Sequence, residues 1–194
     1  MDSYQLRYAL ITKLPIFTAV CAADQLRKVK AGKHFAIIVN NQPSTKEGMH
    51  WVCFYKAKDS KEIEFFDSFG LGIHYYPKSL FNFCRKNGKI IHQTKYQYQS
   101  NLSDVCGNFC VWFLLNRHKH HNIKKTLAAL SSSELLKNDK LVKEFTDKKF
   151  SFPKFLDCKA ECKSLSKKKQ LPFSEVCYQK AKRCIRLQGK LYEA

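Results

Sequence analysis

The stretch Tyr98 to Asn116, YQSNLSDVCGNFCVWFLLN, limits what this chain can fold into more than any other. A polar approach leads to a Cys106-Gly107 step and then to an almost unbroken apolar run. Such a run reads as a buried helix, and the polar approach reads as a loop that delivers Cys106 to its N-terminus. Unpaired N–H groups and the helix dipole favour an anion there, so a thiol in that position ionises more readily. Gly107, without a Cβ, would let a substrate backbone come close to the sulfur. Small buried hydrophobe is the ordinary role of a cysteine. A chemical role therefore depends on what the rest of the chain brings to Cys106.

The segments before it read as follows. Ser3–Leu10 suits a short helix, Leu14–Val20 an extended connection, and Ala22–Lys30 has helical composition ending before Gly32. His34–Val39 is a β-branched run that suits a buried strand. His50–Lys56 and Glu62–Asp67, separated by Lys58–Lys61, read as a β-hairpin. Antiparallel pairing then places His50, at the start of one strand, beside Asp67, at the end of the other.

Pro77 suits the first turn of a helix running to Asn87-Gly88, and Lys89–Tyr98 favours a strand. The pattern Ser131-Ser-Ser-Glu134 resembles a capping box ahead of one or two helices reaching Phe150. Few strands with helices clustered before and after them argue for an α+β fold. Two units are expected: a domain over residues 1–150, and an extension, 151–194, with 11 Lys/Arg against 4 Asp/Glu and four cysteines.

A thiol nucleophile needs a base, a group to orient that base, and donors for the oxyanion formed on attack at a carbonyl. His50, Asp67, Gln99 and Cys106 supply these types in that order, with 17 residues from His50 to Asp67 and 7 from Gln99 to Cys106. Singly, each has a plain role as a strand-end, turn or loop residue.

The combination Met49-His-Trp-Val-Cys-Phe54, Phe65-Phe-Asp-Ser-Phe-Gly70 and Gln99-Ser-Asn-Leu-Ser-Asp-Val-Cys-Gly-Asn-Phe-Cys110 resembles the adenovirus endopeptidase (adenain) family, over roughly residues 10–150. That family belongs to the clan of SUMO-specific and related ubiquitin-like proteases. The resemblance implies a small mixed sheet packed against a central helix that begins at the nucleophile. It implies Cys106 as nucleophile, His50 as general base, Asp67 as its orienting group, and the Gln99 amide with the Cys106 N–H as oxyanion hole. Trp51, read as core or cleft wall, and Gly107 would border the substrate. Asp67 departs from the adenoviral Glu and matches the ubiquitin-like proteases; either carboxylate can orient an imidazole.

The resemblance further implies a monomeric endopeptidase of an adenovirus-related virus or virus-like DNA transposon. It would cleave viral precursor proteins at Gly-containing sites, in the virion and host nucleus, with DNA and a basic peptide as activators and no bound cofactor. A deconjugating protease of the SUMO or ubiquitin-like type, and a DNA-binding virion protein without activity, are the alternatives.

Charge supports a polyanionic partner independently: 35 Lys+Arg against 16 Asp+Glu leave a net +19. No membrane partner is expected, because no long apolar stretch and no signal-peptide pattern occurs. Nine scattered cysteines fit free thiols in a reducing compartment. Cys53 and Cys110 read as packing residues, and His118, His120 and His121 as a solvated cationic helix end rather than metal ligands. Cys158, Cys162, Cys177 and Cys184 have irregular spacing for zinc, and Leu187–Leu191 resembles a self-processing site weakly. The basic extension has the composition of an activator acting in cis.

Overall fold

The computed structural model describes residues 1–11 and 13–150. The readings placed on 151–194, namely the basic extension, its cysteines and Leu187–Leu191, lie outside the described residues. From its first residue the chain runs through α1 (Ser3–Ile11), β1 (Phe17–Ala22), β2 (Phe35–Asn40), β3 (Trp51–Lys56), β4 (Glu62–Phe66), α2 (Lys78–Asn87), β5 (Lys89–Gln93), α3 (Cys106–His120), α4 (Ile123–Leu127) and α5 (Leu135–Lys149). This is an α+β architecture.

The five strands lie in sequence order, with β1 parallel to β2, β2–β3–β4 antiparallel, and β5 parallel to β4. Period-2 alternation sends the strand side chains to two faces. Phe35, Ile37, Val39, Val52, Phe54, Ile63 and Phe65 cluster with Leu80, Phe83 and Cys84 of α2. On the other face Phe66 stacks on Phe113 of α3, with ring centroids 4.3 Å apart. Helices therefore cover both faces.

Every residue of α3 from Cys106 to Leu114 is buried, because α3 touches β3 as well as α1, α4 and α5. Neighbours on all sides explain why its sequence has no polar stripe. Among the described residues no helix is long and apolar enough to cross a membrane.

Three sequence expectations need correction. The segment 22–30 forms only a 3₁₀ turn at Leu26–Lys28. It belongs to the 12-residue return from the end of β1 to the start of the parallel β2, a distance of about 20 Å for six-residue strands. Nine helical residues advance only about 13 Å, so most of the connection must be extended. The stretch 14–20, expected as a connection, supplies β1 at the sheet edge. The capping box is not made: Glu134 bonds Lys137 at 3.2 Å, and the Asn138 side chain takes the Ser131 backbone instead.

Candidate active site

The hairpin register pairs Cys53 with Phe66, which sets the start of β3 beside the residue that follows β4. His50 and Asp67 therefore meet, with His50 Nε2 2.7 Å from Asp67 Oδ1. Asp67 is completely buried and its carboxylate is saturated. Besides the imidazole, Oδ1 accepts the Phe69 N–H at 3.0 Å, while Oδ2 accepts the Leu71 N–H and the Tyr76 hydroxyl, each at 2.8 Å.

Phe69 lies in the tight turn Asp67–Gly70 and Leu71 directly follows it; a Gly70 N–H to Asp67 carbonyl bond of 3.1 Å closes the turn. Gly70 has φ +72°, and a Cβ there would stand 2.6 Å from the Tyr96 backbone. Only glycine suits this position. The Thr94 hydroxyl accepts the Asp67 N–H at 2.8 Å and ties the turn to the loop that carries Gln99.

Nε2 faces Asp67, so Nδ1 is the ring nitrogen left for Cys106. His50 is 7 % exposed, Cys106 8 %. Burial alone would lower the imidazole's proton affinity. Its hydrogen bonds to Asp67 and Cys106 outweigh that and raise its pKa to about 9. Burial likewise opposes ionisation of the Cys106 thiol, but the His50 hydrogen bond and charge, with a backbone bond from Trp51, hold its pKa below the ordinary 9.0. Both shifts favour a thiolate–imidazolium pair.

Gln99 is 1 % exposed, and its amide is locked. Its Oε1 accepts the Ser68 hydroxyl at 2.7 Å, and one Nε2 proton goes to the Ser103 carbonyl at 2.9 Å. An amide nitrogen carries two protons, so Nε2 keeps one beyond that bond. The backbone around Gln99 is held from α5: Asn138 Nδ2 donates to the Tyr98 carbonyl at 2.9 Å, and the Ser100 N–H lies 3.3 Å from both Asp139 carboxylate oxygens.

Trp51 enters through its backbone, since its carbonyl also accepts the Cys110 thiol at 3.4 Å; its side chain is half-buried. Gly107 departs from the expected role. A Cβ there would meet Met1 at 3.1 Å and Leu6 at 3.3 Å, so the missing side chain makes room for the N-terminal segment rather than for a substrate. Cys110 and Cys53 are both buried, and burial pushes the Cys110 thiol well above the usual range. Cys110 is thereby held as the thiol, in contrast to Cys106. No group of three or more His, Cys, Asp or Glu among the described residues is arranged to hold a metal ion.

Tyr76, Ser68, Thr94, Asn138 and Asp139 carried no signal in the sequence, because each acts across the fold. Tyr76 is the partial exception: an aromatic residue nine positions beyond a candidate carboxylate could be tested for a hydroxyl contact. Its hydrogen bond to Asp67 also fixes His50 indirectly, with the two rings stacked at 6.4 Å.

Fold and site together define an α+β protein with a helix-borne thiol and a hairpin-borne imidazole–carboxylate pair, an arrangement suited to acyl transfer. No family model and no curated protein matches the chain. Among solved structures, the crystal structure of the Se-Met ASFV pS273R protease matches 73 % of this chain at 14 % identity, with a TM-score of 0.47. The match spans 66 % of that protein's chain.

Proposed function

We propose that the chain is a cysteine endopeptidase of the adenain type. One observation carries the reading: a single buried imidazole joins the Asp67 carboxylate, 2.7 Å away, to the Cys106 sulfur at the first turn of α3. The Cys106 thiolate attacks the scissile carbonyl, and the carbonyl oxygen becomes the oxyanion. The Cys106 N–H, unpaired at the helix start, and the second Nε2 proton of Gln99 stabilise it. His50 then gives its proton to the leaving amine, releasing a thioester at Cys106. A water that surrenders a proton to His50 hydrolyses the thioester and regenerates the thiolate–imidazolium pair.

The sequence resemblance around His50-Trp51, Asp67–Gly70 and Gln99–Cys106 supports the finer reading: cleavage of viral precursor proteins at Gly-containing sites, with Trp51 walling the cleft and DNA as activator. The test begins with iodoacetamide at pH values below the ordinary thiol pKa. Cys106 is expected to alkylate first, and Cys106→Ala is expected to abolish both that labelling and peptide cleavage without changing the melting temperature. Cleavage that survives Cys106→Ala would overturn the assignment. Gly-containing peptides compared with ubiquitin-like fusions then separate endopeptidase from deconjugating activity.

A further inference from the structure

Two sulfurs converge on the backbone of one residue, Trp51. Just ahead of β3, the Asn41 N–H donates to the His50 carbonyl at 3.0 Å, and the His50 N–H donates to the Asn41 side chain at 3.1 Å. The backbone groups of His50 therefore point to the β2 side. Alternation along a strand sends those of Trp51 to the opposite, β4 side. There the β3–β4 pairing stops at Cys53 and Phe66, and the chain leaves the sheet through the Asp67–Gly70 turn. The first turns of α3 meet the edge of Trp51 instead. The Cys110 thiol donates to the Trp51 carbonyl at 3.4 Å, and the Trp51 N–H bonds the Cys106 sulfur.

Cys106 and Cys110 stand four positions apart on α3, so they share one of its faces. In an extended residue the N–H and C=O lie along the same edge. Two sulfurs one helical turn apart thus take both backbone groups of Trp51, in the place a strand would otherwise fill. Their parts are opposite. Cys106 accepts a hydrogen bond best as the thiolate, whereas Cys110 donates only while it keeps its proton. Burial pushes the Cys110 thiol well above its ordinary 9.0, and the Cys53 side chain hydrogen-bonded to it, Cys106 and Asp67 act in the same direction. Cys110 therefore remains a donor throughout the pH range in which Cys106 ionises.

We infer that Cys110 is a positioning residue for the nucleophile: its thiol fixes the Trp51 backbone so that the Trp51 N–H is aimed at the Cys106 sulfur. The inference rests on the cysteine-protease reading of Cys106. The Trp51 N–H is a donor distinct from those assigned to the oxyanion, and it acts on the nucleophile before any carbonyl is attacked. A hydrogen bond to the ionised form of a group favours that form. Losing the aim of the Trp51 N–H therefore raises the pH at which Cys106 ionises. His50 loses its proton only after the thiolate has formed, so the alkaline limb of activity stays in place. The charged and titratable groups facing the two sulfurs are His50, Asp67, Tyr76, Cys53 and the amino group of Met1. Substitution of Cys110 leaves all of them present, and it removes a hydrogen bond without removing a charge.

The test is the pH profile of Cys106 alkylation by iodoacetamide in the full chain, with the label located by peptide mass spectrometry. In Cys110→Ala the labelling midpoint is expected to rise by roughly half to one pH unit, slowing labelling about threefold to tenfold below it and little above it. Cys110→Ser keeps a donor and is expected to recover most of that shift. Cys84→Ala, which removes a buried thiol from the α2 face of the sheet, is expected to leave the midpoint in place. On a cleaved peptide, the acid limb of kcat/KM should follow the labelling midpoint while the alkaline limb does not move.

The inference is overturned if Cys110→Ala labels with the wild-type midpoint, whatever its melting temperature, since Cys110 then serves packing alone. It is also overturned if Cys110→Ser shifts the midpoint as far as alanine does, or if Cys84→Ala shifts it equally. Failure of the protease reading shows elsewhere, as cleavage that survives Cys106→Ala, so the two failures are distinguishable.

Discussion

Two buried acid–base pairs sit on the β3–β4 hairpin, one joining its open ends and one joining it to α3. In the first His50 meets Asp67 at 2.7 Å; in the second Arg117 meets Glu64 at 2.7 Å. Their burial and distances match, and their chemistry differs. An arginine keeps its proton at any ordinary pH, so the Arg117–Glu64 pair can only hold α3 against the sheet. A histidine can release its proton, and the second nitrogen of His50 faces a thiol. Asp67 is saturated by four donors, whereas Arg117 keeps one nitrogen without a partner. Salt-bridge geometry alone therefore does not mark a catalytic pair. What marks it is a titratable member with a second reactive neighbour.

This contrast can be broken by experiment. The largest effect is expected for His50→Ala, which should lower kcat by about a hundredfold to ten-thousandfold with little change in melting temperature. A comparable loss from Glu64→Gln in the folded protein would erase the distinction between the two pairs. Gln99→Ala should cost about a hundredfold to a thousandfold in kcat, with KM nearly unchanged, if its second Nε2 proton serves the oxyanion. An effect confined to KM would assign it to substrate binding.

In the second pair, Glu64→Gln should destabilise the fold by about 3–5 kcal/mol, since it leaves the Arg117 charge buried without a counterion. Denaturant unfolding measures this, and a loss below about 1 kcal/mol would show the pair to be solvated. The smallest change is expected from Tyr76→Phe, which removes one of the four donors to Asp67.

That variant is best read through pH. In wild type, activity should rise with pH as Cys106 ionises, below 9.0, and fall as His50 loses its proton near 9. A folded pKa raised above 6.5 also means that the stabilisation from protonated His50 is complete below 6.5 and lost as the pH climbs through about 9. Asp67→Asn removes the charge that helps raise His50 and should move the alkaline limb to lower pH. Tyr76→Phe should move it by less, and a fixed limb in both variants would argue against the imidazolium assignment.

Part of this is legible in the amino-acid sequence. The turn residues Lys58–Lys61 and the strand lengths put His50 beside Asp67, because antiparallel pairing brings the open ends of a hairpin together. The apolar run after Cys106 predicted a buried helix with its N-terminus at the thiol. Local pattern sufficed where contacts are local or periodic. It misjudged 22–30, where the span of a parallel crossover overrode helical composition, and Gly107, whose empty side is filled by Met1 and Leu6 from the far N-terminus.

By itself the sequence determined which residue types were available, their order, and the helix start that delivers Cys106. Tertiary structure alone decided that Tyr76 completes the shell of Asp67, that Asn138 and Asp139 of α5 hold the Gln99 loop, and that Cys110 reaches the Trp51 carbonyl. The physical reason is separation along the chain. Asn138 stands 40 residues from Tyr98, and hydrogen bonds at that distance follow from which surfaces pack together, not from any local preference. Cys106 meets a buried imidazole and its carboxylate only when those surfaces pack together.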